Sequence, residues 1–357
     1  MVAARRPDPA FWSGQRVFLT GHTGFKGSWL ALWLEQLGAT VHGLSLAPET
    51  EPNLFSAVQL IERHVSTIGD IRDPVVVAAA IEQAKPTLAI HMAAQPLVRR
   101  SYREPLATFE TNVMGTAQVL DALRGKAGLA AILAITTDKV YLNHDTGRDF
   151  VEDDPLGGED PYSGSKAGAE MVVRSWRHSF FHNSGTAVAT ARAGNVIGGG
   201  DWSEDRLVPD LWRAARAHKP VELRYPDATR PWQHVLDPLC GYLVYVEDLA
   251  LKVQAVPEAL NFGPPAAEAV TVGEVAQAIS RAMGSDKDWV RQPGDHPPEM
   301  KLLSLDPALA IKTLGWKQRL PAVDALAWTA EWYRAFDEGS DPRQLCRRQI
   351  AQYLDRA

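Results

Sequence analysis

Several features are scarce in this sequence, and each scarcity excludes a class of protein. The 357 residues hold only two cysteines, Cys240 and Cys346, far apart and with no C-x-x-C pair. Two cysteines build no disulfide framework, and the economical reading is a reducing, cytoplasmic compartment. Long apolar runs are missing. Pro74–Ile81 and Leu129–Ile135 are the longest, far short of the roughly 18 residues a membrane span needs. The first residues, MVAARRPDPAFWSGQ, are basic but lead into no apolar stretch, so they do not read as a secretion signal. Positive charge is not in excess. Lys plus Arg number 37 against 43 Asp plus Glu, a net charge of −6, which lacks the basic footprint of a general nucleic-acid binder. Scattered His and Asp residues suggest no metal site.

What remains is ordinary globular usage, 45% apolar and 22% charged. The length allows one large domain or two modest ones. The first half alternates short apolar runs with longer helical patterns. Strands are predicted at 16–20, 40–46, 64–69, 87–94, 129–136 and 186–192. Helices are predicted at 25–37 (apolar nearly all round, hence buried), 74–84, 104–124 and 161–181. Asp73-Pro74 supplies an N-cap and a proline at the first helical position. The strands are apolar without clean alternation, as when helices cover both sheet faces. Alternating strand and helix predicts an α/β fold, a Rossmann-type doubly wound parallel sheet, with ligands at the carboxyl ends of its strands. After Arg192 the rhythm breaks, and two later helical patterns occupy 271–283 and 320–336. The expected division is a dinucleotide-binding domain at 1–195 plus about 231–262, with a smaller substrate-binding domain at about 196–230 plus 263–357.

Gly21-His22-Thr23-Gly24-Phe25-Lys26-Gly27 follows the first strand and opens the first long helix. Its G-x-x-G-x-x-G spacing is a variant of the dinucleotide fingerprint. The first glycine permits a tight turn. The second lets backbone approach a pyrophosphate at the positive end of the helix, and the third lets helix and sheet close up. A P-loop would need Gly-Lys-Ser/Thr, and the order here is Lys26-Gly27-Ser28. The acid that ordinarily ends the second strand is missing from Gly43-Leu44-Ser45-Leu46, and no Arg or Lys stands there for a 2′-phosphate. The residues alone leave NAD and NADP both open. Asp70, ending the third strand, is placed either to accept from an adenine amino group or to serve as a turn residue.

Tyr162 and Lys166 stand four apart on a predicted helix and so share a face. An ammonium beside a phenol favours the phenolate, which would make Tyr162 a proton acceptor near neutral pH as an alcohol is oxidised. Thr137, ending the fifth strand, puts a hydroxyl on the same sheet edge. A Y-x-x-x-K pair alone recurs on solvated helix faces. Glycine turn, Thr137, Tyr162 and Lys166 in that order on an alternating chain form a specific combination.

With these motifs the chain resembles the extended short-chain dehydrogenase/reductase family over nearly its whole length. The resemblance rests on the glycine turn, Asp70-Ile71, Met92-Ala93-Ala94-Gln95, Asn112, Thr137, Tyr162-x-x-x-Lys166 and Arg192-Ala-Gly-Asn195. Within that family, segments 21–30, 94–103, 136–141, 198–203 and 230–240 look most like the sugar-nucleotide 4,6-dehydratases. The Asp138-Lys139 pair looks like the branch acting on CDP-glucose; most relatives acting on dTDP-glucose carry Asp-Glu there. The resemblance implies NAD, met by Gly21, His22, Thr23, Gly24, Phe25, Lys26, Asp70, Ile71, Ala93, Ala94, Gln95, Asn112, Tyr162, Lys166 and Arg192. It implies catalytic Thr137, Asp138, Lys139, Tyr162 and Lys166. It implies a nucleotide-sugar substrate, CDP-glucose, met by Gln95, Arg99, Asn195, Arg206, Leu207, Arg230, Trp232 and His296. It also implies a homodimer built on helices 104–124 and 161–182, or a tetramer of such pairs.

The implied chemistry is an internal redox reaction. Tyr162 would take the C4 hydroxyl proton as C4 is oxidised, and the ketone would make the C5 proton acidic. Lys139 would remove that proton while Asp138 protonates the departing C6 hydroxyl. Lys139 then needs a pKa below the ~10.4 of free lysine, and Asp138 needs the opposite shift. Two phosphates call for arginine, which singles out Arg230 and Arg206. His91, inside the fourth strand, reads as a satisfied core histidine. Rival readings are a nucleotide-sugar 4-epimerase or GDP-mannose dehydratase on the same fold, a dinucleotide-binding regulator without turnover, and an NADP reductase.

Overall fold

The computed structural model describes residues 4–252, 256–265, 270–284, 289–294 and 303–356. Seven strands form one sheet: β1 (Arg16–Thr20), β2 (Thr40–Ser45), β3 (Val65–Ile68), β4 (Leu88–His91), β5 (Ala131–Ile135), β6 (Ala187–Ala193) and β7 (Ala259–Phe262). Their order is β7-β6-β5-β4-β1-β2-β3, and every pairing is parallel. The six expected strands all form, with small shifts at their ends. β7 falls outside them because Ala259–Phe262 lies beyond Arg192, where the alternation of strand and helix breaks. The order reverses between β1 and β4, so the crevice at their carboxyl ends is a ligand position by topology.

Helices cover both faces. α1 (Phe25–Gln36) starts at Gly24 and is buried over most of its length, as its all-round apolar pattern predicts. α2 (Pro74–Ala84) is capped by Asp73, whose carboxylate accepts from the Val75 and Val76 amides. α3 (Val98–Arg103) leads into α4 (Pro105–Phe109), which runs through a π turn, Glu110–Met114, into α5 (Gly115–Leu123); from α4 onward this is the expected 104–124 helix. α6 (Pro161–Trp176) is capped by Asp160 and prolonged by a second π turn, Arg177–Phe181.

The later chain adds α7 (Leu207–Arg216), α8 (Leu236–Leu251), α9 (Val272–Ala282), α10 (Ala308–Leu314), α11 (Ala322–Asp337) and α12 (Pro342–Asp355). Only α9 and α11 match expected helical patterns. α8 escapes a periodicity reading because it is buried from Leu236 to Leu249 and shows no polar face. α12 carries Asp341-Pro342, the same cap signal as Asp73-Pro74, with the Asp341 side chain accepting from the Arg343 amide. α12 packs on the first half of the chain. Trp33 of α1 meets Tyr353 edge-on at 5.7 Å between ring centres, and Arg343 donates to the Val58 carbonyl at 2.9 Å. Trp29 of α1 donates to the Gly199 carbonyl at 2.9 Å. Emptying either tryptophan site would cost about 3–5 kcal/mol. Among the described residues no helix is long and apolar enough to cross a membrane.

Two buried acids tie α8 to its surroundings. Glu247 Oε1 accepts from the Asp8 amide and the Trp12 indole, both at 2.7 Å, and Arg5 pairs with Oε2 at 3.1 Å. Asp237 accepts from the Arg319 amide at 2.8 Å and the Tyr353 hydroxyl at 3.0 Å, while Oδ2 has no hydrogen-bond partner among the described residues. Burial pushes the Asp237 carboxyl up to about 7, against hydrogen bonds that pull it down. The folded value lies above the ordinary 3.8, so the folded state holds an extra proton between pH 3.8 and about 7. This group's contribution to stability is therefore complete below that window and is lost as pH rises through it. Asp237→Asn is expected to flatten that decline, read as urea midpoints at pH 4.5 and 7.

Candidate active site

A cavity of about 1300 Å³ opens at the carboxyl edge of the sheet. Its floor is the turn after β1. Gly21 sits at φ +79°, and a Cβ there would lie 2.7 Å from the Ala93 amide nitrogen. A Cβ on Gly27 would lie 2.0 Å from the Gly21 carbonyl oxygen. These glycines thus serve the close approach of turn, helix and β4 loop that the spacing predicts. The cradle faces the cavity with the N-terminus of α1 beneath it, which suits a dinucleotide pyrophosphate.

Most of the expected residues reach the cavity wall: Gly21, Thr23, Gly24, Phe25, Lys26, Asp70, Ile71, Ala93, Ala94, Gln95, Thr137, Asp138, Lys139 and Tyr162. So do Arg99, Asn195, Arg206, Leu207, Arg230 and Trp232 from the expected substrate side. Several are already engaged. Arg99 pairs with Asp205 at 2.5 Å, Asp70 is held by Arg72 at 2.6 Å, and the Gln95 amide group donates to Leu97 O and Thr108 Oγ1. His296 lies outside the described residues.

Four expected contact residues sit behind the wall, which corrects the picture of them as side chains facing a ligand. The His22 ring turns away and meets Ser66 Oγ at 2.6 Å; burial takes it down to about 4, so it is neutral. Asn112 lies in the π turn and braces the β4 loop, accepting from the Gln95 amide at 2.8 Å. Arg192 is spent in the core, with both Nε and Nη2 donating to Glu170 at 2.9 Å and Nη1 donating to the Tyr141 hydroxyl at 2.8 Å. Lys166 donates to the Ile135 carbonyl at 2.9 Å. Only the tertiary packing decides which face of each element is dry.

Burial governs the electrostatics. It raises the Asp138 carboxyl, while Lys139, Thr137 and Arg230 pull it down less strongly. Thr137 Oγ1 donates to Asp138 Oδ1 at 2.9 Å, and the buried Oδ2 has no hydrogen-bond partner among the described residues. Gly194 makes room for this acid, since a Cβ there would lie 2.4 Å from Oδ2. The upward shift is the one an acid donor needs. Burial pushes the Tyr162 phenol up to about 12, and the Thr137 hydroxyl and Arg206 lead the groups that pull it down. Lys166 shares the helix face, but burial lowers its own amine to about 8. Lys26 is lowered to about 7, first by burial and then by Arg206 and Lys166.

Sequence reasoning passed over three cavity neighbours. Arg224 and Tyr225 line the wall; their signal was a cation beside an aromatic in the same turn-rich stretch as Arg230. Tyr242 of α8 is fully buried near Asp138 and Tyr162, and the Lys26 ammonium stands 5.9 Å from its ring centre. Inside an unrecognised helix it gave no signal. His178 and His182 stand four apart, yet no group of three His, Cys, Asp or Glu stands together as metal ligands among the described residues.

A parallel sheet with a glycine cradle at its switch point, and a hydroxyl, phenol, carboxyl and amine along one edge, defines a short-chain dehydrogenase/reductase of the extended type. The chain belongs to the family described as GDP-mannose 4,6 dehydratase, whose model matches residues 18–327. It is 43% identical over 352 residues to the CDP-glucose 4,6-dehydratase of Salmonella typhimurium, covering 97% of this chain and 98% of that one. It is 28% identical to the dTDP-glucose 4,6-dehydratase of Xanthomonas campestris, covering 88% and 92%. A solved UDP-glucose 4-epimerase from Stenotrophomonas maltophila, with bound NAD, shares the fold at a TM-score of 0.79 and 23% identity, covering 91% of this chain and 100% of that one.

Lys26 makes a pH prediction. Its folded value, about 7, lies below the ordinary 10.5, so between these limits the unfolded chain binds the extra proton and stability rises with pH. Lys166 adds to that rise only above about 8. Lys26→Met is expected to flatten the part of the rise between pH 7 and 8, measured by guanidinium midpoints.

Proposed function

We propose that this protein is a CDP-glucose 4,6-dehydratase, forming CDP-4-keto-6-deoxy-D-glucose and water with NAD as its resident cofactor. One observation carries the reading: near full-length 43% identity to an enzyme of that name; that Asp138, Lys139 and Tyr162 all line the cavity supports it. The Gly21–Gly27 cradle, Asp70, Ile71 and Ala93 would hold the cofactor. When bound, NAD supplies the electron acceptor for C4 and the donor for C6.

The chain's own residues would move the protons. Tyr162 takes the C4 hydroxyl proton, with the Thr137 hydroxyl orienting that group. Lys139 takes the C5 proton, made acidic by the C4 ketone, and later returns it to C5. Asp138, favoured in its acid form by burial, gives its proton to the C6 hydroxyl, which leaves as water. Arg206 and Arg230 line the same cavity and would meet the diphosphate. Trp232 and Asn195 also line the cavity, and Tyr162 and Lys166 are buried on the helix α6. A 4-epimerase on this fold needs no second acid and base, so Asp138-Lys139 favours dehydration. We take the active form as a homodimer or homotetramer, and the compartment as the cytoplasm. Supporting the association, the two long helices expose Leu106 at 79%, Met114 at 55% and Met171 at 45%.

Incubation with CDP-, dTDP-, UDP- and GDP-sugars is expected to give the alkaline absorbance of a 4-keto sugar with CDP-glucose at least tenfold faster than with the others. Equal or faster turnover of GDP-mannose would overturn the substrate assignment. Asp138→Asn and Lys139→Met are each expected to lower kcat by about 10²–10⁴, the usual worth of general acid–base catalysis. Tyr162→Phe is expected to abolish measurable turnover; a parent-like rate in that variant would remove the phenol from the mechanism.

A further inference from the structure

His91 ends β4, buried and away from the cavity wall, and no step above uses it. Donor accounting fixes its state. Thr20 Oγ1 accepts from the Ala93 amide at 3.1 Å and shares the Met92 amide, also 3.1 Å away, with the Thr20 carbonyl at 3.2 Å. Its O–H faces His91 Nδ1 at 2.7 Å, and Thr116, whose own O–H is spent on the Asn112 carbonyl, can only accept from the other ring nitrogen. Nδ1 is therefore the unprotonated nitrogen, and Nε2–H donates to Thr116 Oγ1 at 3.0 Å. Thr116 in turn donates to the Asn112 carbonyl at 2.7 Å. Only the neutral Nε2–H ring meets both neighbours. Burial and the Lys166 charge hold the ring in that form, at about 3.

The chain of bonds does not stop at Asn112. The Asn112 Nδ2 donates to Ser165 Oγ at 2.9 Å, and Ser165 donates to the Tyr162 carbonyl at 2.7 Å. At the other end, the Met92–Ala93 peptide held by Thr20 is the surface against which Gly21 packs. We infer that His91 is a positioning residue: its two ring nitrogens tether the glycine cradle, through Thr20, to the helix that carries Tyr162, through Thr116 and Asn112. The cradle side sets where a dinucleotide lies, and the helix side sets where the phenol lies. This inference rests on the cofactor and catalytic roles argued under Proposed function.

The two arms separate by isostere. In His91→Asn the amide oxygen stands near the Nδ1 position and can accept from Thr20, but nothing reaches Thr116. In His91→Gln the amide nitrogen reaches toward Thr116, and the Thr20 contact is lost. The purified full-length variants are compared with the parent by calorimetric NAD titration, by kcat at saturating CDP-glucose and NAD, and by amide hydrogen exchange. His91→Asn is expected to keep the NAD dissociation constant within threefold and lose at least tenfold in kcat. His91→Gln is expected to weaken NAD at least tenfold and speed exchange at the Met92 and Ala93 amides, with the smaller kcat loss. Parent-like values in both variants, or equal losses of both parameters in both, would overturn the tether and leave His91 as core packing. If the parent itself bound no NAD, the reading under Proposed function would fall. The Met92 and Ala93 exchange rates, parent-like or faster in His91→Gln, would then still decide against or for the tether.

Discussion

Desolvation is the leading electrostatic influence at the sheet edge where Lys26, Asp138, Tyr162 and Lys166 meet, and the rest of the site depends on it. Desolvation penalises whichever form is charged. It brings the two lysines down to about 7 and 8 and pushes the carboxyl and phenol up. A single physical cause thus moves all four toward neutrality. That suits an acid that must hold its proton. It opposes a phenol that must give one up, and the Thr137 hydroxyl and Arg206 are the chain's counterweights there. Positive charge bound in the cavity would add to them.

Close approach makes the desolvation possible. Gly21 against Ala93, Gly27 against Gly21 and Gly194 against Asp138 leave no space for a methyl group. Behind the edge, a buried ion pair closes the remaining gap. Glu170 accepts from Arg192 through both oxygens and from the Thr136 and Thr190 hydroxyls. Such a pair is tolerable in the interior only when its hydrogen-bonding capacity is met, and here it anchors the residue next to Thr137.

The fold alone does not choose the chemistry. The same fold is that of a solved UDP-glucose 4-epimerase at a TM-score of 0.79. In the proposed reading the choice falls to Asp138 and Lys139, which follow Thr137 in a short turn at Asp138–Val140. Chemistry on this scaffold is thus set by a few residues at strand ends, over a core that need not change.

Much of the molecule is legible from residue order. Six of the seven strands, the glycine cradle, the capped α2, the helix α6 and the buried α1 follow from local patterns of apolar periodicity, glycine spacing and an Asp-Pro cap, which act within a few residues of one another. The order Thr137, Tyr162, Lys166 also placed the candidate site at the carboxyl edge. Residue order could not say that Lys166 and Arg192 point into the core, that His22 and Asn112 brace the wall from behind, or that α12 returns to α1. Nor could it say that Tyr162 is raised rather than acidified. Those outcomes depend on which faces lose water when distant segments pack, and desolvation is a property of the assembled interior that no local pattern encodes.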